Sequence, residues 1–329
     1  MKAICSSNPG AVFKTVPKPD HAEPGHLLVK MKACGVNPGD KKLIEGSFPV
    51  GVQGSKHDIF GGSGAGRVIQ VGDGVPESFA NQNVAIYRSL VRSEHIVGTW
   101  SEYAHVHHLD CIILPKNLDE CEYSASLVNI ITAYAFYKQV LSEGHKGIIS
   151  TAAYTATGIA LIGICNAYHI PLISIVRNDE EKNKIERYAC QNVFSQTDSE
   201  FFNKLKGTSH KLGTTAVFDG VGGAVLNQII HLVPNNTTFY SYGFLGGQVP
   251  LTIHTSVLMK GIILKGFSNF FSSTVLNQEE LSKALKDIEA IIHLPHFRTR
   301  VGAKFNPEDI KKALEYKGVD LARPVLYFE

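Results

Sequence analysis

The sequence predicts an α/β protein of two domains, a mainly β domain followed by a doubly wound parallel sheet. Its 329 residues are enough for two domains, at about 150 residues per domain. The chain before Pro115 is rich in glycine and proline between short β-type runs, which is typical of a compact β domain. From Lys146 onward, short apolar strands alternate with helical segments, and this alternation favours right-handed βαβ crossovers.

Turn signals and apolar spacing define the elements of the first domain. The predicted strands, each a β-type run between turn residues, are 26–32, 67–71 and 83–87. After Pro115 the apolar residues recur every three and four positions, which predicts a long helix over 124–143. The chain has then entered a domain that contains helices.

The second domain continues as strand and helix pairs. Residues 148–150 lead into a predicted helix over 156–168, and 172–176 lead into a charged helix over 179–189. Further predicted strands are 192–194, 216–219 and 238–242. The last segment is expected to form a helix near 307–316 and a closing strand, 324–328, which by its position returns to the first domain.

Composition excludes several classes of protein. Lys and Arg number 32 against 30 Asp and Glu, so a net charge of +2 predicts no general attraction to nucleic acid or membrane surfaces. The most apolar stretch, 158–176, is interrupted by polar residues and proline, so no membrane helix is predicted. The six cysteines form no C-x-x-C pair and the N-terminus resembles no signal peptide, which favours a cytoplasmic protein.

The first strand-to-helix turn of the second domain is the candidate phosphate site. A dinucleotide fingerprint needs glycines there, so that backbone N–H groups can approach a pyrophosphate at the helix N-terminus. Here the turn carries Tyr154, Thr155 and Ala156, and of the glycines only Gly158 remains. Gly158 permits close helix–strand packing, whereas Thr155 brings a Cβ towards the phosphate. A plain turn without ligand is the alternative interpretation.

The end of the second strand predicts the choice of cofactor. A site selective for NAD carries an acid there to bind the ribose 2′-hydroxyl, but this chain has Arg177. A guanidinium can hold a 2′-phosphate, and Lys182 on the following helix adds a second positive charge. NADPH is therefore predicted in preference to NADH. The alternative is that Arg177 and Lys182 belong to a solvated, charged helix start.

Three glycine-containing stretches, 34–40, 61–72 and 98–104, resemble successive landmarks of the medium-chain dehydrogenase/reductase superfamily. Shorter matches at 132–134, 218–223, 242–243 and 264–267 extend the resemblance over nearly the whole chain. The pattern at 35–40 is similar to the zinc-independent quinone oxidoreductase and enoyl reductase branch. The resemblance implies a catalytic domain with a GroES-like β-barrel over 1–117 and 295–329, a Rossmann domain over 118–294, and a cofactor in the cleft between them.

The same resemblance argues against a catalytic metal. Zinc alcohol dehydrogenases of the superfamily have a Cys where this chain has Asn37, a His-Glu pair where it has Gly62 and Ser63, and another Cys near the position of Val128 and Asn129. None of these supplies the Cys or His ligands that zinc requires, so no metal is expected. A cluster of histidines at 105–108 is interpreted as surface residues, because further ligands and an open site are not evident.

The resemblance also implies roles for individual residues. Asn37 is the candidate polar contact to substrate or nicotinamide, with a purely structural role in the turn before Pro38 as the alternative. Relatives have a tyrosine shortly afterwards, where this chain offers Lys42, a candidate donor that can equally be a solvated lysine. The candidate cofactor contacts that follow the family pattern are Thr132 with Tyr134, Gly243, Phe267, Ser268, Asn269 and Arg323. For Tyr134, helix packing is the alternative.

These observations predict an NADPH-dependent, zinc-independent reductase that acts on small molecules, either quinones or activated α,β-unsaturated carbonyls. Hydride chemistry belongs to the cofactor, and the protein provides position and electrostatics. A non-catalytic dinucleotide sensor of the same fold is the alternative, because the glycine loop is substituted and the tyrosine is missing. The apolar strand over 261–266 presents a sheet edge that predicts a homodimer.

Overall fold

A computed structural model describes residues 1–7, 10–45, 55–87 and 95–328. The chain forms two compact units, one of residues 1–129 with 281–329 and the other of residues 130–280. The first is built mainly on an antiparallel sheet and the second on a parallel sheet with helices. The predicted α/β fold class is confirmed.

The described strands, in chain order, are β1 (Lys2–Ser6), β2 (Ala11–Thr15), β3 (His26–Gly35), β4 (Ser63–Val71), β5 (Asn83–Tyr87), β6 (Tyr103–His107), β7 (Cys111–Ile113), β8 (Ile148–Ser150), β9 (Leu172–Val176), β10 (Asn192–Ser195), β11 (Ala216–Asp219), β12 (Thr238–Ser241), β13 (Ile263–Gly266), β14 (Val301–Phe305) and β15 (Arg323–Tyr327).

The α-helices are α1 (Pro38–Ile44), α2 (Leu127–Ser142), α3 (Ala156–Ala167), α4 (Asp179–Glu186), α5 (Phe201–Leu212), α6 (Gly223–Ile229), α7 (Ser273–Leu276), α8 (Gln278–Ile291) and α9 (Ile310–Glu315). Over the ranges that the structure covers, no helix is both long enough and apolar enough to cross a bilayer.

The larger sheet of the first unit has the strand order β14-β15-β3-β4-β5-β7, with β6 also paired to β3, and β1 and β2 form a separate antiparallel pair. The long strand β3 is antiparallel to β15, β4 and β6. Its inward residues, among them Leu27 and Val29, are fully buried with Trp100 in one apolar cluster. Burial of these side chains is the main stabilising term of this unit.

The sheet of the second unit has the order β10-β9-β8-β11-β12-β13, and each adjacent pair is parallel. Counted along the unit, this is the order 3-2-1-4-5-6 of a dinucleotide-binding sheet. Every residue of β8, β9 and β11 is buried, as expected for central parallel strands that helices cover on both faces. The order reverses between β8 and β11, which defines a switch point there.

Three predicted helices differ from the structure by three residues at one end, and the last of them begins at Ile310 after a 3₁₀ turn over Pro307–Asp309. The helix predicted from Ser124 begins only at Leu127, after a 3₁₀ turn over Glu120–Tyr123. The hydroxyls of Ser124 and Ser126 bond to backbone carbonyls three residues earlier, which competes with regular helix formation at this point. The helix predicted to reach Ala189 ends at Glu186, and Ala189 itself has a left-handed backbone with φ of 55°.

Candidate functional site

The carboxyl edge of the parallel sheet collects the predicted cofactor contacts of the second unit. Adjacent parallel strands place their carboxyl ends, and therefore the loops that follow them, along one edge. The predicted residues on these loops and on the helix that starts there are Tyr154, Thr155, Ala156, Gly158, Arg177, Gly243, Phe267, Ser268 and Asn269.

The N-terminus of α3 is set close to β8 by two residues. Thr155 is the N-cap, and its hydroxyl accepts a hydrogen bond from the N–H of Gly158 (3.0 Å) and donates to the carbonyl of Ala152 (2.8 Å). A Cβ on Gly158 would lie 2.4 Å from the backbone oxygens of both Ala152 and Ala153. Only glycine therefore permits this approach of helix to strand, as the sequence predicts for packing.

Small side chains and backbone donors make this helix start suitable for a diphosphate. Among the contacts that the structure describes, the N–H of Ala156 has no acceptor, and the positive end of the α3 dipole lies at the same point. Tyr154 is buried, with the Lys184 ammonium 5.9 Å from its ring centre. The bulky side chain of Tyr154 is thus directed towards α4.

Asp219 organises the switch point between β8 and β11. Its fully buried carboxylate accepts hydrogen bonds from the Thr151 hydroxyl (2.6 Å) and from the N–H groups of Val221 (3.1 Å) and Gly222 (3.1 Å). The Ser241 hydroxyl, at 3.3 Å, adds a further donor. This network fixes the loops after β8, β11 and β12 relative to one another, and it uses Asp219 as a structural acceptor.

Tyr242 brings a buried hydroxyl to the same edge. Its ring stacks on Phe218 with a centroid separation of 3.9 Å. The hydroxyl is buried and makes no hydrogen bond of ordinary geometry with any residue in the described ranges. Burial raises the pKa of Tyr242, and the neighbouring Thr155 hydroxyl opposes that shift to a smaller extent. A buried donor without a protein partner beside the start of α3 is a position for a polar ligand.

Arg177, after β9, is paired with a residue of the next helix. Its Nε donates to Glu181 Oε1 (2.8 Å), its Nη2 bonds to the same oxygen, and its backbone N–H donates to Glu181 Oε2 (3.0 Å). Glu181 raises the pKa of Arg177 through these bonds. The arginine identified from the sequence is therefore held by a carboxylate that sequence reasoning missed, although Glu181 is only four residues away and lies in the first turn of α4.

Lys182 lies on the same helix and is half-buried. It contributes to the low pKa of Asp198, whose main cause is a hydrogen bond from Lys204.

Helix α2 ends near the start of the parallel strands, because Nδ1 of His145, three residues after the helix, lies 2.9 Å from the hydroxyl oxygen of Thr215, just before β11. Phe136 stacks on Phe218 (4.0 Å between centroids), and the edge of Phe267 meets Phe136 at 5.4 Å. Thr132, one turn earlier and half-buried, therefore lies towards the carboxyl edge. The buried Tyr134 packs against aromatic rings of Tyr137 and Tyr168, which favours a packing role for it.

The remaining contacts at this edge follow β12 and β13. A Cβ on Gly243 would lie 3.1 Å from the carbonyl oxygen of Gly220, so the backbone of the two loops is in close approach. The Phe267 N–H donates to the carbonyl of Ser241 (2.9 Å), which continues the β12–β13 pairing. Ser268 begins a 3₁₀ turn in which Asn269 is buried.

In the first unit, Asn37 is the N-cap of α1. Its backbone N–H donates to the carboxylate of Asp40 (2.8 Å), and its side-chain Nδ2 lies 3.5 Å from the Ser63 hydroxyl. Asn37 and Ser63 occupy two of the positions compared with zinc ligands, and near the third the Asn129 amide donates to the Ala125 carbonyl (3.0 Å). Amide and hydroxyl groups do not fit a zinc site. No cluster of three metal-binding side chains occurs in the part of the chain that the structure describes.

The two lysines of α1 differ in their surroundings. Lys42 is exposed, whereas the half-buried Lys41 donates to the backbone carbonyls of Leu314 and Tyr316. Burial lowers the pKa of Lys41, and the nearby Arg323 lowers it further. Sequence reasoning selected Lys42 and missed Lys41, because neighbouring lysines give no signal of which one is buried.

Arg323 begins β15, and the strand pairing brings it close to the end of β3. The N–H of Val36 donates to the carbonyl of Pro324 (3.0 Å), so Asn37 and Arg323 lie on neighbouring chain segments. Burial lowers the pKa of Arg323. These two of the predicted residues are thus brought together within the first unit.

The expectation of surface histidines at 105–108 is wrong for His105, which is only 2% exposed. Its Nε2 accepts the N–H of Glu23 (3.0 Å), and its Nδ1 faces the carbonyl of His95 (2.6 Å). Both ring nitrogens are satisfied only in the neutral form, and burial lowers the pKa of His105 to about 4. Strand alternation placed His105 and His107 on one face but did not indicate that this face is covered.

Comparison with known proteins supports the same architecture. The family of the alcohol dehydrogenase GroES-like domain matches residues 23–116. The human synaptic vesicle membrane protein VAT-1 homolog is 28% identical over 207 residues, 61% of this chain. The match spans 49% of that human protein, or about half its length.

Two further relatives are enzymes by name. The mitochondrial enoyl-[acyl-carrier-protein] reductase of Caenorhabditis elegans is 28% identical over 263 residues, 78% of this chain and 72% of that protein. The pig quinone oxidoreductase is 23% identical over 265 residues, 79% of this chain and 76% of that protein.

Solved structures share the fold over the whole chain. An alcohol dehydrogenase superfamily protein from Novosphingobium aromaticivorans has a TM-score of 0.80 at 20% identity, covering 100% of this chain and 99% of its own. A mycobacterial protein in complex with NADPH has a TM-score of 0.72 at 21% identity, with 100% of both chains covered.

Proposed function

This chain belongs to the medium-chain dehydrogenase/reductase superfamily of oxidoreductases, and on that premise we propose that it reduces quinones or activated α,β-unsaturated carbonyls with NADPH and without zinc. The observation that carries the proposal is the parallel sheet of order 3-2-1-4-5-6, with a capped helix start and an unpartnered hydroxyl at its switch point. A bound nicotinamide supplies the hydride, which an already activated acceptor takes without a Lewis acid.

The start of α3 is the proposed diphosphate site. The Ala156 N–H and the helix dipole favour an anion, and the Tyr242 hydroxyl is a donor that otherwise stays buried without a partner. Thr155 orients this helix start through its cap, and Gly158 keeps it close to β8. The turn between β8 and α3 does not need every glycine of the fingerprint, because the small Ala156 and the N-cap Thr155 keep the backbone N–H groups at the helix start accessible.

Arg177 and Lys182 are the proposed contacts for a 2′-phosphate. The Arg177 side chain is 80% exposed, so the N–H groups that do not face Glu181 are available to an anionic ligand. A guanidinium donates to phosphate in a bidentate manner, and a lysine adds a point charge. This is the basis for NADPH as the proposed cofactor.

Asn37 is the proposed polar contact for the acceptor. Its amide is half-buried, and its backbone is already fixed by Asp40, so the side chain can donate to an oxygen that gains negative charge during reduction. Arg323 provides positive potential on the neighbouring segment. The exposed Lys42, on the same short helix as Lys41, is the proposed route for the proton, since its ammonium is in reach of solvent.

A turnover assay tests this proposal. Purified protein, treated with a chelator, is supplied with NADPH and phenanthrenequinone or a panel of enones, and the loss of the reduced nicotinamide is followed by absorbance. The expected result is turnover that the chelator does not change. Absence of turnover across the panel would refute the enzymatic part, and binding of NADPH without turnover would instead support a dinucleotide sensor.

A homodimer is the proposed assembly. Strand β13 is the last strand of the parallel sheet in the described part of the chain, and all four of its residues are exposed. Exposed apolar side chains surround this edge, with Ile263 48% and Leu264 46% exposed. A second copy of the strand can pair with these free backbone groups and cover the apolar residues.

A further inference from the structure

The ion pair after β9 is unequal in its exposure. The Arg177 side chain is 80% exposed, whereas the Glu181 side chain is 10% exposed and lies beneath it. One side of the Arg177 guanidinium therefore faces solvent, and the other side contacts the buried carboxylate of Glu181. Glu181 therefore already offsets the positive charge of Arg177 before any ligand binds.

The position of Glu181 is fixed by its own helix. Asn178 caps α4, and its side-chain oxygen accepts the N–H of Glu181 (2.9 Å), so Glu181 is in the first turn. A carboxylate is favoured there by the positive end of the helix dipole. Its Oε2 also accepts the backbone N–H of Arg177 at the end of β9. The acid is thus tied both to the strand end and to the helix start.

We propose that Glu181 limits the selectivity of the dinucleotide site, so that the preference for NADPH over NADH is smaller than Arg177 alone would confer. This inference rests on the proposed function, because it concerns the same site. A 2′-phosphate that binds Arg177 meets the repulsion of the Glu181 carboxylate, which cancels much of the attraction of the guanidinium. A 2′-hydroxyl carries no charge and meets no such repulsion.

The preference for NADPH over NADH therefore depends on two opposing interactions with the 2′-phosphate, attraction by Arg177 and repulsion by Glu181. Arg177 alone favours the 2′-phosphate of NADPH, and Glu181 reduces that preference relative to the 2′-hydroxyl of NADH. Removing only the charge of Glu181 is expected to reveal the preference that Arg177 would otherwise confer.

The test compares dissociation constants of NADPH and NADH for three proteins, measured by the fluorescence of the reduced nicotinamide. Glu181→Gln keeps an oxygen that can accept the Arg177 N–H and removes the charge. Glu186→Gln is the matched control, since Glu186 is an exposed residue at the last position of the same helix. Thermal melting of each variant verifies that it is folded.

The expected result for Glu181→Gln is NADPH binding tighter by about tenfold, with NADH changed by less than about twofold. Added salt should reduce the new preference, because it screens the interaction with the phosphate. The control should leave the ratio of the two constants unchanged. An unchanged ratio in Glu181→Gln, while both dinucleotides bind, would overturn this inference alone. If neither dinucleotide binds to the unaltered protein, the proposed cofactor site itself is wrong, and the inference fails with it.

Discussion

Replacing Gly158 by alanine is expected to destabilise the protein and weaken dinucleotide binding together. The new Cβ would lie 2.4 Å from two backbone oxygens, about 1 Å inside the 3.4 Å at which ordinary contact begins. Both oxygens belong to the buried backbone of the turn after β8, and an oxygen of the backbone cannot turn aside as a flexible side chain can, so the helix must move. Overpacking of this kind costs about 3 kcal/mol at the upper end of its range, and alanine returns about 1 kcal/mol through its higher helix propensity.

The net loss is therefore about 2 kcal/mol, which corresponds to a fall in Tm of roughly 5 °C. The control is Gly207→Ala in α5, where a Cβ meets nothing within 4 Å and alanine should stabilise by about 1 kcal/mol. Thermal melting compares the two variants, and titration with NADPH should show an affinity loss of about tenfold only for Gly158→Ala. A Gly158→Ala protein as stable as the control and with unchanged affinity would refute the close approach of α3 to the sheet.

Further perturbations address the other proposed features. Asn37→Ala should lower kcat/KM about a hundredfold in steady-state assays while the dissociation constant of NADPH stays the same; equal activity would remove Asn37 from the mechanism. Leu264→Lys should convert the dimer to a monomer in light scattering after gel filtration, and a monomeric unaltered protein would contradict the proposed assembly. His105 has a folded pKa of about 4, so the unfolded state, with its pKa near 6.5, binds the proton more readily. The contribution of neutral His105 to the free energy of unfolding should therefore be fully present above pH 6.5 and be lost as the pH falls towards 4. His105→Gln should make the Tm depend less on pH in this range. The same dependence of Tm on pH in the variant would show that His105 does not cause it.

Much of the fold was predictable because its signals are local. Strands β5, β9 and β11 have the predicted bounds, since an apolar run between turn residues identifies a strand without knowledge of its partners. The strand–helix alternation also limited the topology, because crossovers between parallel strands are right-handed. The collection of the loops at one carboxyl edge follows from that topology, so the general position of the candidate site was available from the sequence.

Details of the site depended on tertiary contacts that the sequence does not reveal. Lys41 is half-buried, unlike the exposed Lys42, because the carbonyls of Leu314 and Tyr316, distant in sequence, lie next to it. His105 is buried because the backbone of Glu23 and His95 covers it. By contrast, the partner of Arg177 was only four residues away, in the first turn of the predicted charged helix.

The transfer of hydride from a reduced nicotinamide is the central claim, and an isotope experiment tests it most directly. The protein is incubated with an enone and NADPH that carries deuterium at C4 of the nicotinamide, on one face and then on the other, and the product is examined by mass spectrometry. The proposed function predicts one deuterium on the β-carbon of the product for one of the two labelled faces. A reduced product without deuterium from either face, or no product at all, would contradict it.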